Sequence, residues 1–308
     1  MRQAKAMGFI GIGFASPARP VFFDQFTSWI AARKNADMLW LERNLHLRED
    51  PSLLLEGCMT IISLAYPYPN SKPCTPDGLT ASRYTCPNQD DYHSRLKKLC
   101  KEVVKVLKRY DCECFTRICI DSAPVLERSI AWSAGIGFLG KNNMLIIPGM
   151  GSYFYLVEIF TSIPLEFPPA QEMDSQCGSC TRCLDACPTG ALECPFSINA
   201  SKCLSYLTIE HKGQVGLREG KNMGDCFFGC DRCQEACPFN AQDNTKDIML
   251  PSLDEIMNMK DDEFIQRFGR TAFKRAGIEK IKGNIRAIGL KVQGAPPSSM
   301  RGFGGKEA

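Results

Sequence analysis

The residues best equipped for chemistry in this chain are cysteines, and their spacing says which chemistry. Cys177-x2-Cys180-x2-Cys183-x3-Cys187-Pro188 is the bacterial run in which three thiolates hold one 4Fe–4S cluster and the fourth reaches to another. Cys230-x2-Cys233-x3-Cys237-Pro238 repeats its end, and Ala186-Cys187-Pro188 is echoed by Ala236-Cys237-Pro238. Two-residue gaps bring three thiolates round one cubane face, and the proline ends the turn so that the last cysteine points away. The crossed pattern predicts one cluster on Cys177, Cys180, Cys183 and Cys237. A second takes Cys187, Cys230 and Cys233, with a fourth ligand from Cys203 or Cys226, a choice that spacing leaves open. Structural zinc also uses paired C-x2-C elements, but its tetrahedral sites suit such a run poorly.

Other candidates are single residues. Asp121 opens Asp121-Ser122-Ala123-Pro124 at the end of a strand-like run, where α/β proteins place ligands; Asp or Ser there also caps helices. Residues 135–142 contain a G-x-G-x-x-G, but a helical pattern precedes it and a strand-like one follows, the reverse of a dinucleotide fingerprint. It reads instead as a tight loop whose glycines admit a ligand or a neighbouring element. His93 sits in a run that begins like the D-x-H-x-x-G of His-ligated cobalamin domains, with Leu96 in place of the glycine. The remaining cysteines show no ligand spacing beyond the C-x-C at 112 and read as free thiols.

The elements that must carry these residues follow from periodicity. Strands are expected at 9–14, 58–66, 114–120, 144–148 and 153–160, and helices at 22–45, 92–110, 125–134 and 203–210. A long loop at 70–88 separates two of them. Prolines 164, 168 and 169 mark a linker into the cysteine-rich stretch. The 308 residues are 44% hydrophobic and 23% charged with net charge +3, ordinary for a soluble globular chain of two or three domains. Seventeen cysteines without a signal-like N-terminus imply a reducing, cytoplasmic setting rather than a disulfide scaffold. No apolar run approaches a membrane span. Residues 260–308 hold eleven Lys or Arg against five Asp or Glu, and residues 294–308 have the composition of a disordered tail.

Several stretches resemble the epoxyqueuosine reductases, cobalamin-dependent enzymes that reduce the epoxide of a modified base in the tRNA anticodon to an alkene. They are Ile120-Asp121-Ser122-Ala123-Pro124-x-x-Glu127-Arg128, Ala134-Gly135-Ile136-Gly137-x-x-Gly140-Lys141-Asn142, Gly151-Ser152, Cys203-x-Ser205-Tyr206-Leu207-Thr208-Ile209-Glu210 and Gly229-Cys230-Asp231-x-Cys233-Gln234. The likeness spans residues 8–290. It implies a mixed α/β and α+β architecture: an α/β cobalamin- and substrate-binding domain at 1–166, a ferredoxin-like two-cluster domain at 167–245, and a short helical basic segment with a disordered tail at 246–308. It also implies Cys203 as the eighth cluster ligand, Asp121 as proton donor with a raised pKa, and cobalamin held by Tyr84, Asp121, Arg128, Lys141, Asn142, Leu145, Ser152, Leu156 and Ser205. The partners implied are tRNA and an external electron donor, with the protein a monomer.

The chain departs from the family pattern in stopping soon after Arg286, as a short form, and in its 84–93 loop. Two further classes compete. A reductive dehalogenase pairs cobalamin with two clusters but usually carries a twin-arginine signal, and no Arg-Arg occurs here. A plain electron-transfer ferredoxin would not need 170 residues before its clusters.

Overall fold

The chain was analysed as a computed structural model that describes residues 1–168, 170–240 and 247–289; the tail expected at 294–308 lies outside them. At its centre Thr60–Pro67 pairs on one side with Gly11–Ala15 and on the other with Phe154–Thr161, which in turn pairs with Thr116–Cys119. Every pairing in this four-stranded sheet is antiparallel, so the doubly wound geometry that places ligands beyond parallel strand ends does not apply. Both faces of the sheet are covered. Ile61 and Ala65 pack on one side, and Leu64, Val157 and Ile159 on the other, all without solvent exposure. Each of the Ile, Leu and Val side chains among them contributes roughly 1.5–3 kcal/mol on burial, which explains why the middle strands read as continuous apolar runs.

The helix Tyr92–Tyr110 closes one face, where the sequence expects it. Asp91 caps it by accepting from the His93 backbone N–H, and Leu96, Cys100 and Leu107 enter the core on one stripe. The expected helix at 22–45 is instead broken into Phe23–Ala31, a single turn at Leu39–Leu41 and a short helix at Leu45–Glu49. Arg33, Ala36 and Asn44 all adopt positive φ there, a conformation that ends a right-handed helix.

The 70–88 loop is not a free connection. Thr80–Ala81 pairs in parallel with Cys226–Phe228, and Pro73–Cys74 pairs in parallel with Ile248–Met249. A second four-stranded sheet thus ties the expected first, second and third regions together. Behind it Phe227, Phe228, Phe264, Phe268, Phe273 and Ile285 form one core. The final helix Ile278–Ile288 is fastened by the buried Asn284 amide, which donates to the Thr208 and Phe227 carbonyls at 2.9 and 3.0 Å. Among the described residues no helix is long and apolar enough to cross a membrane.

Candidate functional site

The cysteine-rich stretch folds as two short helices, Arg182–Asp185 and Arg232–Glu235, each closing a C-x2-C turn. Cys177, Cys180, Cys183 and Cys237 line one pocket together with Lys141, Asn142 and Phe239. These four come from opposite ends of the motif, as the crossed spacing requires. Cys187, Cys203, Cys230 and Cys233 form the other group. After burial itself, neighbouring thiols push their pKa values up: Cys187 acts on Cys203, Cys203 on Cys230, and both Cys230 and Cys203 on Cys233. Among the described residues no three His, Cys, Asp or Glu stand close enough to share one metal ion. Thiolates on a single zinc each lie about 2.3 Å from it, whereas thiolates on a cluster are held apart by its core.

Backbone donors already point at these sulfurs. The Ala191 N–H donates to Cys187 Sγ at 3.2 Å and the Lys141 N–H to Cys177 Sγ at 3.5 Å. Burial opposes ionisation of Cys187, but the N–H groups of Leu192, Thr189 and Ala191 with the Thr189 hydroxyl outweigh it and lower its pKa. Cys226 is different. Its thiol is buried and donates to the Gly229 carbonyl at 2.9 Å, which uses the S–H that a cluster ligand would lack.

Asp121 follows the edge strand Thr116–Cys119 at φ +54. The Ser122 N–H reaches back to the Ile120 carbonyl at 2.5 Å, so the chain reverses tightly at Asp121. This turn frees the Asp121 N–H from the sheet, and it donates to Glu127 Oε1 at 2.7 Å. The Asp121 carboxylate accepts from the Tyr92 hydroxyl at 2.7 Å and faces His93 Nε2 at 3.5 Å and Arg275 at 3.8 Å. Its side chain is 47% exposed, which leaves it open to a ligand.

The raised pKa expected for Asp121 is not found. His93 lowers it first, burial opposes, and Tyr92 and Arg275 lower it further. The proton-holding groups are its neighbours. His93 is raised to about 9 by Asp121 and then Asp91, and Glu127 to about 8 by desolvation and then the Asp121 charge. Deeper still, Glu158 is fully buried in the central sheet against Ser63, and burial pushes its pKa well up.

The two parts of the site meet. Arg275 binds Glu210 at 2.7 Å, just after the helix Leu204–Ile209 that Cys203 opens. Tyr84 lies edge-on to Tyr92 and beside Gly229, where a Cβ would strike Ser82 Oγ at 2.2 Å. Asp121 is therefore linked through Arg275 and Glu210 to the end of the helix that Cys203 opens, and through Tyr92 and Tyr84 to the neighbourhood of Gly229, the residue before Cys230.

The expected cofactor residues fall into two sets. Tyr84 lies near the open Asp121 carboxylate, and Arg128, which follows Glu127, is bonded to the Asn143 carbonyl. Leu156 lies on the neighbouring strand Phe154–Thr161, two residues before the Glu158 that pairs with Cys119. Ser205 lies on the Cys203 helix. The second set binds the cluster loops instead. Lys141 donates to the Gly178 and Cys180 carbonyls at 2.6 and 2.9 Å, Asn142 to the Cys233 carbonyl at 3.3 Å, and Ser152 to Gln234 at 2.9 Å. Leu145 is core, 2% exposed. Of the G-x-G-x-x-G glycines, Gly137 makes room for the Ile146 carbonyl, which a Cβ would meet at 2.3 Å, so it serves a hairpin.

Tyr92, Glu127, Glu158 and Arg275 were not singled out as site residues by the sequence, and His93 was noted only for an incomplete D-x-H-x-x-G run. Glu127, inside a quoted motif, and Glu158, a charge in an apolar run, also carried a signal there.

Two family models match: "4Fe-4S double cluster binding domain" over residues 176–240 and "Epoxyqueuosine reductase QueG, DUF1730" over residues 48–122. The chain is 34% identical to an epoxyqueuosine reductase of Pseudomonas aeruginosa, over 96% of this chain and 84% of the relative. It is 33% identical to one of Cyclobacterium marinum, over 92% and 94%. An epoxyqueuosine reductase structure from Bacillus subtilis, its catalytic aspartate loop swung out of the active site, superposes with a TM-score of 0.80 at 30% identity. That match covers 93% of this chain and 79% of the other. A structure of such a reductase with an epoxyqueuosine-modified tRNA-Tyr stem loop gives 0.79 at 30%, with the same coverage.

Proposed function

The chain belongs to the epoxyqueuosine reductase family, and on that premise we propose that it reduces epoxyqueuosine to queuosine in the anticodon stem-loop of tRNA. The observation that carries the reading is the placement of Asp121, a solvent-open carboxylate in a strained turn, linked by Arg275 and Glu210 to the Cys203 helix. One side of the site handles protons and the other electrons.

Two 4Fe–4S clusters are assigned to Cys177, Cys180, Cys183 and Cys237 and to Cys187, Cys203, Cys230 and Cys233. An external low-potential donor feeds them. Cobalamin is assigned to the open side of Asp121, and the residues there fit it. Asn143 Nδ2 is a buried donor without a partner among the described residues, beside Arg128, and a carboxamide or phosphate oxygen of a corrinoid would satisfy both. Tyr84, Leu156 and Ser205 would line the same side. Lys141, Asn142, Leu145 and Ser152 would act from behind, by fixing the loops that carry the thiolates. When bound, cobalamin supplies a strongly reducing cobalt centre. The chain's own part is to orient the base, keep Asp121 against the epoxide oxygen, and move protons to that oxygen.

Mass spectrometry of tRNA nucleosides from cells lacking the gene tests the reading. Epoxyqueuosine should accumulate and queuosine vanish, and a plasmid copy should reverse both. An unchanged nucleoside profile would overturn it.

A further inference from the structure

Reduction of an epoxide to an alkene consumes two electrons and two protons, and the oxygen leaves as water. Asp121 cannot supply both protons. It touches the reacting oxygen in the proposed reaction, yet His93, Tyr92 and Arg275 hold it ionised at rest. A proton must reach it, twice, from a neighbour that holds one.

The geometry offers one line of groups that does this. Asp91 Oδ1 contacts His93 Nδ1 at 2.7 Å, and His93 Nε2 faces Asp121 Oδ2 at 3.5 Å. The imidazole is held in that line by stacking on Tyr92, ring centroids 4.1 Å apart, and Tyr92 itself stacks on Tyr155 at 4.5 Å and 7°. Asp91 doubles as the helix cap through the His93 N–H at 3.0 Å. His93 and Asp91 are both partly exposed, 35% and 27%, so the far end of the line meets solvent. The charged groups around His93 are Asp91 from its own helix start, Asp121 from the strand-end turn and Arg275 across Asp121, while Glu127 behind that turn is a carboxyl that burial and then the Asp121 charge raise to about 8. Carboxylates outnumber the one guanidinium, which favours imidazolium.

We propose that Asp91, His93 and Asp121 form a proton relay that supplies both protons of the reduction, His93 being recharged from solvent between the two steps. This rests on the epoxide reading. Two electrons from the external donor arrive through the clusters. The first C–O bond breaks, and the alkoxide oxygen takes a proton from Asp121, which has received it from His93. The second C–O bond breaks as the C=C bond forms, and the departing hydroxide takes the second proton as water. His93 does not touch substrate; it is a positioning and proton-holding residue for Asp121.

Two substitutions and two readouts test this in the protein loaded with both clusters and cobalamin. In single-turnover conversion of an epoxyqueuosine stem-loop, the wild type should hold its rate from pH 6 to 8 and lose it as pH rises through about 9. Asp91→Asn keeps a side-chain oxygen for the cap but removes the charge, so its break should move at least one pH unit lower. His93→Gln should slow conversion by roughly 100-fold between pH 6 and 8 and remove the break near 9, while stem-loop affinity stays unchanged. The second readout is carbethoxylation by diethyl pyrocarbonate, which attacks only neutral imidazole, located by peptide mass spectrometry. His93 should react slowly at pH 7 in the wild type and faster in Asp91→Asn. Equal carbethoxylation in both proteins, an unmoved pH break, or a His93→Gln enzyme at the wild-type rate would overturn the relay. A wild type that behaves as expected toward diethyl pyrocarbonate yet never converts epoxyqueuosine would overturn the functional reading, and the relay with it.

Discussion

The backbone N–H of Asp121 donates to the carboxylate of Glu127 at 2.7 Å, while Asp121 itself stands at φ +54. Positive φ at a non-glycine residue costs on the order of 1–3 kcal/mol and persists where the surroundings over-determine it. The Glu127 acceptor, together with the Tyr92 hydroxyl on the side chain, is what over-determines it here.

Glu127→Ala should therefore release the turn and leave the Asp121 N–H without its acceptor, at a cost of about 1–3 kcal/mol in anaerobic denaturant unfolding, and should lower turnover. Glu127→Gln keeps an acceptor and should retain most of both. Both variants also lose the pH dependence that Glu127 supplies. The Glu127 carboxyl is raised from 4.5 to about 8, so its proton stabilises the fold fully below 4.5 and that contribution is lost as pH rises through 8. Glu127→Gln should flatten this part of the stability profile. A profile identical to wild type would count against the raised value.

Asp121→Asn keeps the size and hydrogen-bonding capacity of the side chain but can neither receive nor pass on a proton. It should fold, retain iron and bind stem-loop, while epoxide turnover falls roughly 100-fold or more. Normal turnover would reduce Asp121 to a turn residue, and loss of iron would make its role structural.

Cys203→Ser should remove one of two clusters and Cys226→Ser neither, leaving iron near eight per chain since two cubanes hold about eight. The reason lies in the partners. Cys203 faces Cys187 and Cys230, whereas the Cys226 thiol donates to Gly229. Iron analysis of the two variants decides it, and equal loss would reassign the eighth ligand.

The basic C-terminal segment divides in two. Arg275 is bonded to Glu210 and faces Asp121, and Arg270 is paired with Asp90 at 2.7 Å, whereas Lys274 and Arg286 are exposed and stand in no ion pair among the described residues. Lys274→Ala and Arg286→Ala should each flatten the salt dependence of stem-loop binding, by roughly 0.7–0.9 in the log–log slope for each phosphate left un-neutralised. Arg275→Ala should instead lower turnover. An unchanged slope in the first two would make that face merely solvated.

Much of this site is written locally and some of it is not. The cysteine grammar, the 19-residue helix Tyr92–Tyr110 and the strand around Leu64 are legible because ligand spacing and apolar periodicity act over a few residues. The sense of the Asp121 pKa is not. It is set by His93 and Arg275, each far away in sequence and brought in by the fold. The interruption of the expected 22–45 helix also has no glycine or proline to announce it, since Arg33, Ala36 and Asn44 carry the positive φ. The two-residue strands of the 70–88 loop are invisible for the same reason as the pKa: their partners lie in the cysteine-rich and C-terminal segments.

Those short strands bear on how the protein is made. Thr80–Ala81 cannot complete its sheet until Cys226–Phe228 has been synthesised, roughly 150 residues later. At translation rates of about 5–20 residues per second, its unpaired edge waits roughly 7 to 30 seconds on the ribosome. The partner strand ends two residues before Cys230, so cluster insertion and closure of that edge act on one segment. A cell short of iron–sulfur assembly capacity should accumulate this chain with its N-terminal half exposed to proteases, and the cleavages should fall between residues 70 and 88.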